Sequence, residues 1–109
     1  MKKIKYKREV IFKTRDVEVV LIIWPPQSET PFHDHGKSFG LVRILKGEIL
    51  EKVFDKQTKK FLRETFHQKC GRCFETPDII HQMRNPSKTK TAKSIHIYTP
   101  RLKMKNYKL

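Results

Sequence analysis

The sequence is poor in glycine, cysteine, acidic residues and long apolar runs, and each shortage excludes something. Glycine numbers 4 and proline 6 among 109 residues, too few for a collagen-like or low-complexity chain. Cysteine numbers 2, at Cys70 and Cys73. So closely spaced, they close too small a loop to staple a domain, so the chain is no disulfide scaffold. The longest apolar run, Val19–Trp24, falls far short of the ~20 residues of a membrane-spanning helix. The start of the chain is basic, with no apolar stretch of ~7–15 residues behind it, so it does not read as a secretory signal. A reducing, cytoplasmic setting is the expectation. Aspartate and glutamate number only 11 against 25 lysines and arginines, a net charge of +14.

That charge raises nucleic acid as a partner, but its placement argues against it. The lysines crowd the ends and the turns: Lys2, Lys3, Lys5 and Lys7 at the start, Lys56, Lys59 and Lys60, then Lys88, Lys90 and Lys93, and Lys103, Lys105 and Lys108 in the tail. Lysine is well solvated in such places. Base readout and bidentate phosphate grip favour arginine instead, and no nucleic-acid-binding motif is present.

What the chain does have is alternation. β-branched and aromatic residues recur in short runs bounded by turn residues, at Glu9–Lys13, Asp16–Trp24, Phe39–Leu45, Glu48–Phe54, Lys60–Phe66, Phe74–Thr76, His81–Arg84 and Ala92–Thr99. Pro25-Pro26 must end the second run, because proline cannot donate to a ladder. Lys46-Gly47 reads as a hairpin turn. Only the tail Arg101–Leu109 has room for a helical turn. About eight short strands at intervals of ~8–12 residues, in a chain of this length, predict one all-β sandwich or barrel over residues 1–109.

Chemistry concentrates on the histidines. His33 and His35 are two apart, so on an extended segment both imidazoles point to one face, ~6.6 Å apart at Cα. Asp34 then points to the other face. Two imidazoles can share a metal if a third ligand joins them, and His81, opening a short extended segment after Thr76-Pro77-Asp78, is the best source. Without a third ligand, such a pair is an ordinary surface feature. Ser94, His96 and Tyr98 share one face of the last long strand, and Ile95 and Ile97 share the other. The pattern leaves open which face is inside. If the polar face is, its members must hydrogen-bond one another or line a site.

These residues resemble the cupin superfamily, and within it the thiol dioxygenases of the cysteine dioxygenase family. One motif runs from His33-x-His35 through Gly40 to Gly47, and a second from Gly71 through Pro77 to His81-x3-Asn85. The strand Ser94-x-His96-x-Tyr98-x-Pro100 is similar to the Ser-His-Tyr relay of that family. Tyr6-x-Arg8 lies at a matching distance before Trp24. The resemblance covers roughly residues 6–100 and implies a small cupin (jelly-roll) β-barrel, a short, bacterial-type member. It departs from the family in having Ile79 where a glycine is usual and in a second motif one residue short. Gly40 stands where most cupins carry a glutamate and the animal dioxygenases a cysteine, which implies an uncrosslinked Tyr98.

The resemblance further implies Fe(II), or another divalent metal in purified protein, on His33, His35 and His81. It implies a small thiol and O2 as substrates, with L-cysteine oxidised to cysteine sulfinic acid. Thiolate and amine would chelate the metal, Arg8 beside Tyr6 would hold the carboxylate, and Tyr98 would donate a hydrogen bond, oriented by His96 and Ser94. A dioxygenase for 3-mercaptopropionate or another small thiol, and a metal-binding cupin module without catalysis, are the alternatives. Cys70 and Cys73 read as ordinary thiols, and His67 as a polar turn residue. Gly36-Lys37-Ser38 lacks the upstream glycine of a phosphate loop.

Overall fold

The computed structural model describes residues 5–109, so Lys2 and Lys3 of the basic arm lie outside the described residues. Ten strands follow one another: β1 Lys7–Lys13, β2 Glu18–Trp24, β3 Phe32–Asp34, β4 Phe39–Lys46, β5 Glu48–Asp55, β6 Phe61–Gln68, β7 Arg72–Glu75, β8 Ile79–Arg84, β9 Ala92–Thr99 and β10 Lys105–Tyr107. They form two five-stranded sheets, β1-β2-β9-β4-β7 and β10-β3-β8-β5-β6, in which every named pair is antiparallel. There is no helix among the described residues, in keeping with the all-β expectation.

The alternation that identified the strands also fills the space between the sheets. On β2, Glu18, Val20, Ile22 and Trp24 are buried, with less buried residues between them. On β9 the buried set is Ala92, Ser94, His96 and Tyr98. Cross-strand pairing puts Val20 beside His96 and Ile22 beside Ser94. The question of which β9 face is inside is thereby answered. The polar face is inside, and Ile97 faces out, 41% exposed. The Lys46-Gly47 turn is present, with Gly47 at φ +76°, and a Cβ there would come within 2.9 Å of the Ala92 Cβ. Glycine is needed on both counts.

Two expectations are corrected. The tail holds no helical turn. It forms β10, with Lys105, Asn106 and Tyr107 paired to Asp34, His33 and Phe32. The buried Asp34 carboxylate draws it in, accepting hydrogen bonds from the Tyr107 hydroxyl at 2.6 Å and from the Lys105 amide at 3.2 Å. Asp34 therefore points away from its histidine neighbours, as alternation requires. His67 is no turn residue either. It lies on β6, where β5 gives it a carboxylate partner.

Candidate metal centre

His33 on β3 is the direct cross-strand partner of His81 on β8, and His35 follows β3 by one residue. All three rings are buried, at 4%, 1% and 0% exposure. The His81 Nε2 lies 3.1 Å from the His33 Nε2 and 3.0 Å from the His35 Nε2. The structure thus brings together the three histidines that sequence spacing singled out.

The opposite edges of two rings show which nitrogens carry protons. His33 Nδ1 is 2.9 Å from the Pro31 carbonyl, which can only accept. His81 Nδ1 is 2.6 Å from the Glu51 carboxylate. In the neutral rings both Nδ1 atoms therefore donate, and both Nε2 atoms present lone pairs to the shared space. Lone pairs facing each other at this distance cannot hydrogen-bond each other. A divalent cation between them satisfies all of them at once. Bonds of ~2.0–2.2 Å to one ion place neighbouring ligand atoms about 3 Å apart, so the observed spacing fits a metal.

The surrounding carboxylates complete the electrostatics. Glu51, on β5, also meets His67 Nε2 at 2.9 Å. Burial acts to raise its pKa, but the hydrogen bonds from His67 and His81 outweigh that and pull it down to about 2. Glu75, at the end of β7, lies with Oε2 2.9 Å from His35 Nε2. Burial and the His81 neighbour hold His33 down at about 3. For His81, burial again acts downward, but Glu75 and Glu51 prevail and raise it. Neither glutamate was singled out from sequence. Glu51 had a readable signal, since it alternates with Ile49 and Val53 on the buried face of β5. Glu75 had none, because its neighbours come from other strands.

Ser94, His96 and Tyr98 form a continuous chain of hydrogen bonds on β9. The Trp24 Nε1–H donates to Ser94 Oγ at 2.8 Å. The Ser94 hydroxyl, with no other acceptor in reach among the described residues, donates to His96 Nε2 at 2.7 Å. His96 Nδ1–H then donates to the Tyr98 oxygen at 3.0 Å. That order leaves the Tyr98 hydroxyl hydrogen free. Burial, reinforced by Glu75, raises the Tyr98 pKa well above 10.0, so Tyr98 is a proton-bearing donor at neutral pH. Its ring stacks on His35, with centroids 5.4 Å apart.

Burial holds His96 down to about 4 from 6.5. The folded protein disfavours its protonated form, so this contribution to stability is full above pH 6.5 and falls as pH drops toward 4, by about 3 kcal/mol. Urea unfolding at pH 7 and pH 4 should show that loss in the wild type and a shallower pH dependence in His96→Gln. Equal slopes in the two proteins would contradict a neutral His96.

Tyr6, Arg8, His33, His81, His96 and Tyr98 line one narrow cleft, closed by Ile22, Met83, Leu102 and Met104 among others. Its volume is about 20 Å³, room for about one water, so a substrate must displace the side chains that close it. Arg8 is anchored there by Glu18, with Nη2 to Oε2 at 2.7 Å. Tyr6 stacks on Trp24 at 5.2 Å between centroids. His35 and Ser94 lie behind the cleft wall, joined to it through Tyr98 and His96. A roomier cavity of about 620 Å³ lies between the Gly47 turn and Asn85–Lys90, lined by turn residues with no histidine.

Residues 2–108 match the family described as cysteine dioxygenase type I. The chain belongs to that family. Cysteine dioxygenase type 1 of Rattus norvegicus is 28% identical over 94 residues, covering 75% of this chain and 44% of the rat protein. The family resemblance therefore extends over nearly the whole chain, yet the chain spans less than half the length of this relative. An uncharacterized conserved protein with a double-stranded β-helix domain from Klebsiella pneumoniae superposes with a TM-score of 0.77 at 16% identity, over 96% of this chain and 86% of that one. The Schizosaccharomyces pombe Cnp3 cupin domain superposes with a TM-score of 0.76 at 15% identity, over 92% and 64%. At such identities these likenesses show the fold alone, a cupin-type β-barrel, which is the architecture expected from sequence.

Proposed function

We propose that this member of the cysteine dioxygenase family is an iron-dependent thiol dioxygenase that converts L-cysteine and O2 to cysteine sulfinic acid. The observation that carries the reading is the meeting of the three histidine Nε2 atoms beside a tyrosine hydroxyl whose hydrogen is free. His33, His35 and His81 would hold the metal. Iron(II) bound there supplies the electron-transfer chemistry that lets O2 react with a thiolate. The overall reaction balances without a reductant. The thiol sulfur gives up four electrons, O2 takes them, and both oxygen atoms end on sulfur as RSO2H.

The chain's own residues account for binding and orientation. Glu18 takes one nitrogen of Arg8 and fixes the guanidinium at the cleft. The remaining donors of its five N–H groups are left for a substrate carboxylate. Tyr98 offers its hydrogen to the reacting sulfur or oxygen, and the Trp24–Ser94–His96 chain keeps the hydroxyl aimed. Ile22, Met83, Leu102 and Met104 keep bulk water out of the cleft.

Arg8→Met should raise the KM for L-cysteine about 10- to 100-fold, the worth of a charge-assisted pair, and leave the KM for cysteamine, which lacks the carboxylate, unchanged. Equal effects on the two thiols would remove Arg8 from substrate binding. The reading as a whole is tested by oxygen uptake of the Fe(II)-loaded chain with L-cysteine, 3-mercaptopropionate and, as control, serine. Uptake with a thiol and none with serine supports it. Iron bound with no uptake for any thiol would favour a non-catalytic metal-binding module.

A further inference from the structure

The cleft meets solvent between two segments. The rings of Trp24, His81 and His96 in its inner wall are at most 1% exposed. Its outer members are more open. Arg8 on β1 keeps 32% of its side chain exposed, and Met104 is 42% exposed. Met104 and Leu102 belong to the strap of residues 100–104 that runs from the end of β9 to the start of β10. The mouth therefore has two lips, β1 at Arg8 and the strap at Leu102.

Glu18 joins the two lips. It is 2% exposed, and each of its carboxylate oxygens is committed to one side. Oε2 accepts from Arg8 Nη2 at 2.7 Å, and Oε1 accepts from the Leu102 amide at 3.1 Å, 84 positions away in sequence. Its backbone is fixed by β2, where Glu18 pairs with Lys13 of β1 and Tyr98 of β9. The strap has a second anchor that does not involve Arg8. The Ser38 hydroxyl donates to the Pro100 carbonyl at 2.6 Å and lies 3.2 Å from the Arg101 carbonyl. A space of about 20 Å³ cannot admit a substrate while both lips stay on Glu18.

We propose that the 100–104 strap is the gate of the cleft and that Glu18 is the positioning residue that latches it to Arg8. Entry, and the choice of thiol acids over thiols without a carboxylate, are then set by one side chain. The gate rests on the cleft geometry alone, and the choice of substrate rests on the dioxygenase reading above. Opening breaks the Leu102 bond and leaves the ladder of β2 and β9 intact. Held on Glu18, the guanidinium is already oriented when a substrate carboxylate reaches its remaining donors, so less side-chain freedom is lost on binding. A thiol without a carboxylate gains nothing from that orientation.

Amide hydrogen exchange of the full chain, followed by NMR without metal or thiol, tests the gate. In the wild type the Leu102 amide should exchange at least about 100-fold faster than the β2–β9 ladder amides, because its opening is local. Glu18→Gln offers one oxygen and no charge to two donors, and should speed Leu102 exchange by about tenfold. Ser38→Ala should speed it too, while leaving Arg8 on Glu18. Leu102 exchanging in step with the ladder in the wild type, or unchanged in both variants, would overturn the gate. The choice of substrate is read from KM. Glu18→Gln should lower the preference for L-cysteine over cysteamine about tenfold, and Ser38→Ala should leave it within about twofold. A preference unchanged in Glu18→Gln, or shifted equally by Ser38→Ala, would overturn the positioning role. Should Glu18→Gln fail to fold, Glu18→Asp replaces it. It keeps the charge, is one methylene too short to hold both lips, and should move exchange and preference in the same directions. Exchange needs neither metal nor turnover, so the gate stands or falls apart from the dioxygenase reading. Absence of turnover with any thiol would end the substrate half together with that reading.

Discussion

Replacing His33 by alanine is expected to abolish oxygen uptake and to reduce affinity for Fe(II) or Co(II) more than 100-fold, beyond what loss of a supporting residue costs. Its Nε2 is one of three that meet in a common space, and nothing else among the described residues can take its place on β3. Phe32 carries no ligand atom, and Asp34 faces the other way, bonded to Tyr107. The metal-free variant should not unfold. His33 sits beside His81, which Glu75 and Glu51 incline toward protonation, and burial makes a second positive charge there unwelcome. His33 is held neutral, so its removal leaves no buried charge unpaired, and the cost is that of the cavity alone. Thermal melts separate the two effects. Wild-type Tm should rise with added metal, because binding the native state alone stabilises it by about 4 kcal/mol when free metal stands at 1,000 times Kd. The His33→Ala melt should not move with metal. A metal-dependent shift of equal size in both proteins would exclude His33 as a ligand.

Tyr98→Phe should behave oppositely, keeping metal and substrate and losing rate. The substitution removes one oxygen and leaves the ring stacked on His35. It takes away the only free hydroxyl hydrogen at the end of the Trp24–Ser94–His96–Tyr98 chain. A preoriented donor of this kind is worth about 10²- to 10³-fold in kcat. Metal content and the KM for cysteine should change little, since the hydroxyl belongs to neither the histidine cluster nor the Arg8 pair. A kcat within a factor of about two of wild type would show that Tyr98 is a packing residue. A large loss of metal would show instead that its hydroxyl supports the histidines.

The strands that place these groups were legible because their alternation is long. β2 and β9 run for seven and eight residues, and the stacking of Val20 on His96 and Ile22 on Ser94 follows once they are paired. The direction of the β9 faces was not legible. Ile95 and Ile97 look like core residues, but they join an apolar outer surface with Phe39, 57% exposed, and Phe74, 76% exposed. The short strands β3 and β10, three residues each, show too few alternations to be read. Their pairing is set by Asp34, whose bonds to Lys105 and Tyr107 reach across more than 70 positions of sequence. The three histidines could be read because an i, i+2 pair and a third ring after a proline turn are local signals. Glu75 could not, because what defines it is the gap over Gly40 and a histidine on the opposite sheet.

The most direct test of the central claim is the mass of the product formed by the Fe(II)-loaded chain from L-cysteine under ¹⁸O2. The account predicts cysteine sulfinic acid carrying both labelled oxygens, formed at about one O2 per thiol as the four-electron balance requires. Cystine as the sole product, or no product with iron bound and the thiol present, would contradict it.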